Sequence, residues 1–207
     1  MIVFRDLKLL VVDIDGTLIP NVIDWDKLRM KVQELLGIDY ELRPLATSLA
    51  RLEIDDDLKD AAWSLIEREE IKSVDRIPLD EIAPSVEALK RSKALGFNIA
   101  LVTLRSRRSA QSVVTKLGIR DLILSMVTRD DSYDRIEQLK LIVERYRPRC
   151  LVFIGDTTND EAASIALGIP FIKVTNFREL PKAIEQAISI CLGYLEISRH
   201  KIPSLSA

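Results

Sequence analysis

One histidine and two cysteines stand in 207 residues. The histidine, His200, lies in a polar C-terminal stretch, so the sequence offers no histidine base and no cluster of histidine ligands. The cysteines, Cys150 and Cys191, form no CxxC pair, and a reduced protein of the cytoplasm is the simplest expectation. No segment nears the ~20 apolar residues of a membrane span. The early apolar run, Leu9 to Val12, follows Arg5, Asp6 and Lys8, ends at Asp13, and lacks the cleavage pattern of a signal peptide. No membrane partner is therefore expected. Nor is there an excess of charge: 30 basic against 32 acidic residues give a net −2, with both signs mixed along the chain. Nothing in that balance calls for nucleic acid.

What is present suits one globular domain, or one with an insert: 47% hydrophobic and 30% charged residues. The stretch Val11 to Leu18 stands out. An apolar run ends in two carboxylates one residue apart, Asp13 and Asp15, and then Gly16. Such a run bounded by a turn signal reads as a buried parallel strand, and an open α/β sheet carries its working groups just beyond the carboxyl ends of its strands.

Three amphipathic stretches follow with no strand signal between them: Asp24 to Leu36, closed by Gly37; Pro44 to about Glu53; and about Asp56 to Lys72. Asp55, Asp56 and Asp57 read as helix-start acids favoured by the helix dipole. From there strands and helices alternate. Helices are expected from Pro84 to Leu95, over 107–117, from Asp134 to Tyr146, from Asn159 to Leu167 and from Leu180 to Leu192. Strands are expected from Asn98 to Thr103, Leu122 to Val127, Cys150 to Gly155 and Phe171 to Val174, with a loosely held tail after Gly193. The fold class expected is α/β: a Rossmann-like, doubly wound parallel sheet core over 1–20 and 79–207, with a small all-helical cap over 21–78 inserted after strand 1.

Three strand ends carry polar groups: Asp13 and Asp15; Thr103; and the run Gly155-Asp156-Thr157-Thr158-Asn159-Asp160. Asp13, Asp15, Asp156 and Asp160 would crowd together, and carboxylates at close range repel unless a cation compensates. Oxygen-rich sites of this kind suit a hard divalent ion, with Mg²⁺ the usual partner of a few carboxylates and a phosphate.

These segments resemble the haloacid dehalogenase superfamily of phosphohydrolases. Asp13-Ile14-Asp15-Gly16-Thr17-Leu18 is similar to its first motif, DxDGT[LV], Thr103 to its second, and Gly155 to Asp160 to its fourth, GDxxxD. For the third, a basic residue near the start of the helix before strand four, Arg135 is preferred and Lys140 is the alternative. The resemblance implies a nucleophile at Asp13, a general acid and base at Asp15, and phosphoryl contacts from Thr103 and Arg135; Leu104 and Arg105, which follow Thr103, are read from their position as further substrate or phosphate contacts. It implies Mg²⁺ on the Asp13 and Asp156 carboxylates and the Asp15 backbone carbonyl, with Asp160 supporting from behind. Acids two residues apart on a strand share a side, so both can face one phosphate.

The activity implied is Mg²⁺-dependent hydrolysis of a small phosphorylated metabolite through an aspartyl-phosphate. A phosphotransferase or phosphomutase is the alternative within the same chemistry. A phospho-receiver module fits less well, because strand three ends in Met126-Val127-Thr128 with no acceptor before Asp130. A binding scaffold is disfavoured by the full set of acids.

Overall fold

A computed structural model describes residues 6–200, with side chains as far as 193. Five strands, β1 (Lys8–Asp13), β2 (Phe97–Val102), β3 (Ile123–Val127), β4 (Cys150–Gly155) and β5 (Phe171–Lys173), form one all-parallel sheet in the order β3-β2-β1-β4-β5. β1 is central because its residues are apolar on both faces, as a strand covered on both sides must be. Leu10 and Val12 pack on one side with α4 (Leu79–Ala94), α5 (Arg107–Lys116) and α8 (Leu180–His200). Leu9 and Val11 pack on the other with α6 (Arg135–Tyr146) and α7 (Thr158–Leu167). The period of two in a strand thus feeds two separate apolar layers from one run.

Register sets the functional end. Asp13 lies opposite Val102, so Thr103 is the next residue along β2; Val12 lies opposite Ile154, which brings Gly155 and Asp156 alongside Asp13 and Ile14. The central strand and both its neighbours end together.

Between β1 and β2 the chain folds as α1 (Trp25–Leu36), α2 (Leu45–Arg51) and α3 (Asp56–Ser73), around an apolar cluster of their own that includes Leu28, Val32, Leu49, Ala62 and Ile66. Asp24 caps α1 by accepting from the Lys27 amide, and Gly37 ends it at φ 64°. Asp55 accepts from the Asp57 and Leu58 amides, so that acidic run serves a helix start.

Three expectations need correction. α4 begins at Leu79, a turn and a half before Pro84. Buried Ile82 anchors that first part, Asp80 and Glu81 suit a helix start, and the carbonyl that Pro84 leaves unbonded lies on an exposed side. α8 passes through Gly193 to His200 instead of ending in a tail; one helical glycine costs only ~1 kcal/mol. Any packing by Leu195 and Ile197, and the exposure of His200, lie outside the described side chains.

The third correction is chemical. Cys150 and Cys191 are bonded, with Cα atoms 5.6 Å apart, because α8 lies against the start of β4. Their sequence separation of 41 hides a spatial contact that only the packed helix creates. Closing a loop of that size restricts the unfolded chain by about 4 kcal/mol. Cys191→Ser should lower unfolding stability by about that amount, and reductant should have the same effect on the parent protein and none on the variant. Denaturant titration with and without reductant reads this directly; a parent protein indifferent to reductant would contradict it.

Candidate active site

The carboxyl end of β1 delivers Asp13 into a buried position, 4% exposed. Its Oδ1 accepts from Arg135 Nη2 at 2.7 Å, and among the described residues no hydrogen bond ends on its Oδ2. Arg135 reaches there because Asp134 caps α6, accepting from the Ile136 and Glu137 amides, and so aims the first helical residue back over the strand ends. Its Nη1 donates to Gln138 Oε1 at 2.9 Å, and Gln138 in turn donates to the carbonyl oxygens of Thr103 and Ser132. Arg135 Nε lies 2.8 Å from Asp160 Oδ1, an ionic contact without hydrogen-bond alignment. Lys140, the other candidate, is half-exposed and paired with Glu137 at 2.7 Å, away from these groups.

Asp156 follows β4. Thr17 donates to its Oδ1 at 3.2 Å, and its carboxylate presses on Gly16 so closely that a Cβ there would meet Oδ2 at 2.2 Å. Gly16, at φ 81°, is therefore required both by the turn and by the acid beside it. Asp160 is fully buried; its Oδ2 accepts from the Thr157 amide and hydroxyl while Thr157 caps α7 in return. Gly155 is needed here as well, since a Cβ would approach Asp160 to 2.9 Å.

Thr103 is buried, with its hydroxyl oxygen accepting from the Arg105 amide at 3.1 Å. Leu104 lines the same cavity as Thr103, and its carbonyl accepts from Arg129 Nη1 at 3.0 Å. Arg105 departs from the expected phosphate contact. Its guanidinium faces protein on every side, with Nε and Nη2 both 2.7 Å from the two oxygens of Asp15. Arg105 is thus the partner of Asp15 and has no donor left for a phosphate.

Electrostatics follow from this arrangement. Burial is the largest influence on Asp13 and pushes its carboxyl well above the usual range; Arg135 opposes this, while Asp160, Asp156 and Asp15 add to it. Burial likewise raises Asp156, helped by Asp160 and opposed by the Thr17 hydrogen bond. Four acids share this end of the sheet with two arginines, so negative charge is in excess.

The site opens on a cavity of about 320 Å³, whose wall includes Trp25 and Arg29 from α1 and Ile66 and Glu70 from α3. A wider groove of about 800 Å³ between α1 and α3, lined by Lys31, Leu35, Leu65 and Arg68, holds none of the strand-end acids. The smaller cavity is the candidate site because the chemistry converges there. Sequence reasoning missed Glu70 and Arg129. Glu70 is 1% exposed, ion-paired with Arg129, and raised by burial against the pull of Arg129. Its signal was available: Ala62, Ile66, Glu70 and Ser73 form one helical stripe, and an acid on an apolar stripe calls for a buried partner. Arg129, in a loop, carried no such sign. It lies 5.2 Å from the Trp63 ring, which stacks on Tyr133 at 5.1 Å.

Among the described residues, no three acidic, histidine or cysteine side chains form a ready cage for a metal. The donors available are two carboxylates, Asp13 and Asp156, and the Asp15 carbonyl, on which no hydrogen bond from the described residues ends. That oxygen set, with its surplus negative charge, fits a hard divalent cation that keeps several of its waters.

The chain belongs to the haloacid dehalogenase-like hydrolases, whose family model matches residues 7–168. A phosphoglycolate phosphatase of Vibrio vulnificus is 24% identical over 184 residues, covering 77% of this chain and 80% of the relative. Copper-transporting ATPase 2 of Rhizobium meliloti is 33% identical over 86 residues, and the match covers 42% of this chain but only 9% of the ATPase. A haloacid dehalogenase-like hydrolase from Bacteroides fragilis has the same fold, with TM-score 0.62 at 18% identity over 82% of this chain and 88% of its own. Among the described residues no helix is long and apolar enough to cross a membrane.

Cation binding should be coupled to proton release. Asp13 and Asp156 hold protons to higher pH than ordinary carboxylates, and a cation needs them ionised. Affinity for a divalent cation should therefore rise with pH through that raised range and level off above it. Calorimetry in two buffers of different ionisation enthalpy should register the released protons; pH-independent binding without release would contradict the argument.

Proposed function

We propose that this chain is a Mg²⁺-dependent phosphohydrolase of small phosphorylated metabolites, working through an aspartyl-phosphate on Asp13. The observation that carries the reading is the Asp13 carboxylate itself. It is buried at the end of the central strand, held at one oxygen by Arg135, and free at the other beside a cavity of about 320 Å³. The relative named for phosphoglycolate hydrolysis supports a phosphate monoester as substrate. So does the size of the cavity, which suits a small molecule.

In this reading Asp13 attacks phosphorus in line with the ester oxygen. The phosphorus–oxygen bond to the leaving group breaks, and Asp15 delivers a proton to that oxygen. Arg135 and Thr103 donate to the phosphoryl oxygens and stabilise the charge of the transition state. Asp15 then takes a proton from water, which attacks phosphorus and releases phosphate from Asp13. Asp13, Asp156 and the Asp15 carbonyl would hold Mg²⁺, which when bound supplies charge neutralisation at the phosphoryl oxygens. Asp160, through its contact with Arg135, keeps that guanidinium in place.

Residues 21–78 act in this reading as a cap over the core of 1–20 and 79–207, one wall of the cavity coming from α1, α2 and α3. Their part is to select small substrates and keep out bulk water. The cytoplasm is the proposed location, on the strength of the substrate class. The Cys150–Cys191 bond is uncommon in mesophile cytosol and ordinary inside hyperthermophiles.

A screen of phosphorylated metabolites with and without Mg²⁺ tests the reading. Turnover should need the cation and vanish in Asp13→Asn. Arg135→Ala should lower kcat/KM for the best substrate by roughly 100-fold or more, and Lys140→Ala should leave it unchanged. Full activity in Asp13→Asn, or a larger loss at Lys140 than at Arg135, would overturn it.

A further inference from the structure

We infer that Arg105 is a positioning residue for Asp15 and that it ties the setting of that carboxylate to the end of α3. The inference rests on the proposed role of Asp15 in proton transfer.

A guanidinium has five N–H groups, and every one of Arg105's is placed. Nε and one N–H of Nη2 take the two oxygens of Asp15, both at 2.7 Å. The second N–H of Nη2 goes to Ser73 Oγ at 3.2 Å, and Nη1 serves the Glu70 carbonyl at 3.2 Å and Ser109 Oγ at 3.0 Å. The side chain is wholly buried, whereas that of Asp15 is 17% exposed and reaches the cavity. So Arg105 does not touch a ligand; it acts on one that does.

The fork fixes the plane of the Asp15 carboxylate and uses one lone pair on each oxygen, leaving the others for the cavity. Asp15 needs such support: it lies beyond the end of β1, next to a glycine at φ 81°. The far side of the guanidinium is anchored on α3, by Glu70 and Ser73. The same helix supplies Ile66 and Glu70 to the cavity wall. Glu70 is held in addition by the Ser106 amide at 3.1 Å and by Arg129. A displacement of this end of α3 when a substrate enters is thus passed through Arg105 to the group that moves the proton. Lysine keeps the charge but cannot meet both oxygens and the α3 anchors at once.

The test compares kcat/KM for two esters, an alkyl phosphate and p-nitrophenyl phosphate. The first needs its leaving oxygen protonated; the second leaves as a stable phenolate. Asp15→Asn is the control and should lose far more on the alkyl ester. Arg105→Lys should show the same bias, losing at least roughly tenfold more on the alkyl ester, and should add little further loss when combined with Asp15→Asn. Ser73→Ala removes one α3 anchor without touching Asp15, and should show the bias in weaker form even where Arg105→Lys does not fold. Equal losses on both esters in Arg105→Lys or in Ser73→Ala, with Asp15→Asn still selective, would overturn the inference. Equal losses in Asp15→Asn itself would instead overturn the role given to Asp15.

Discussion

Two acids at the end of β1 are each held by an arginine from a different part of the chain, and the rest of the site is arranged around that pairing. Asp13 takes Arg135 from the start of α6; Asp15 takes Arg105 from the segment after β2. Burying an ion unpaired costs several kcal/mol, and breaking a buried pair at one end typically costs about 3–5 kcal/mol. The pairings therefore bind two distant chain segments to one strand end. A third pair, Glu70 with Arg129, brings in α3. Against these three pairs stand Asp160, which has the second side of Arg135 and the hydroxyl and amide of Thr157, and Asp156, which accepts from the Thr17 hydroxyl. The residual negative charge is what a divalent cation would answer.

The helical insert is joined to the core by polar and aromatic contacts at the functional end. Trp63 stacks on Tyr133, Arg129 sits over Trp63, and Glu70 and Ser73 reach the loop after β2. Its own apolar cluster is separate from the two layers flanking the sheet. A unit with its own core and a polar seam can shift as a body more readily than one sharing a core.

Much of this was legible from the sequence, for a definite reason. Apolar runs such as Leu9 to Val12 and Leu151 to Ile154 mark parallel strands, and the polar residues that end them must lie on one edge of the sheet. Asp13, Thr103 and Asp156 could be set side by side on that ground alone. The helix-start position of Arg135 pointed the same way. What was hidden depends on packing between segments distant in sequence. The direction of Arg105 is set by Asp15, 90 residues away, and by α3. Cys150 and Cys191 meet only because α8 lies on β4. Pro84 misled because local propensity yielded to the burial of Ile82 two residues earlier.

The central claim is that Asp13 carries the phosphoryl group between the two halves of the reaction. Asp15→Asn, loaded with Mg²⁺ and p-nitrophenyl phosphate, should form that adduct and release it slowly. Rapid acid quenching followed by peptide mass spectrometry should then find one phosphoryl group, on Asp13. Steady turnover of the parent protein with no phosphoryl group on Asp13 in either protein, or with one found on another residue, would contradict the account.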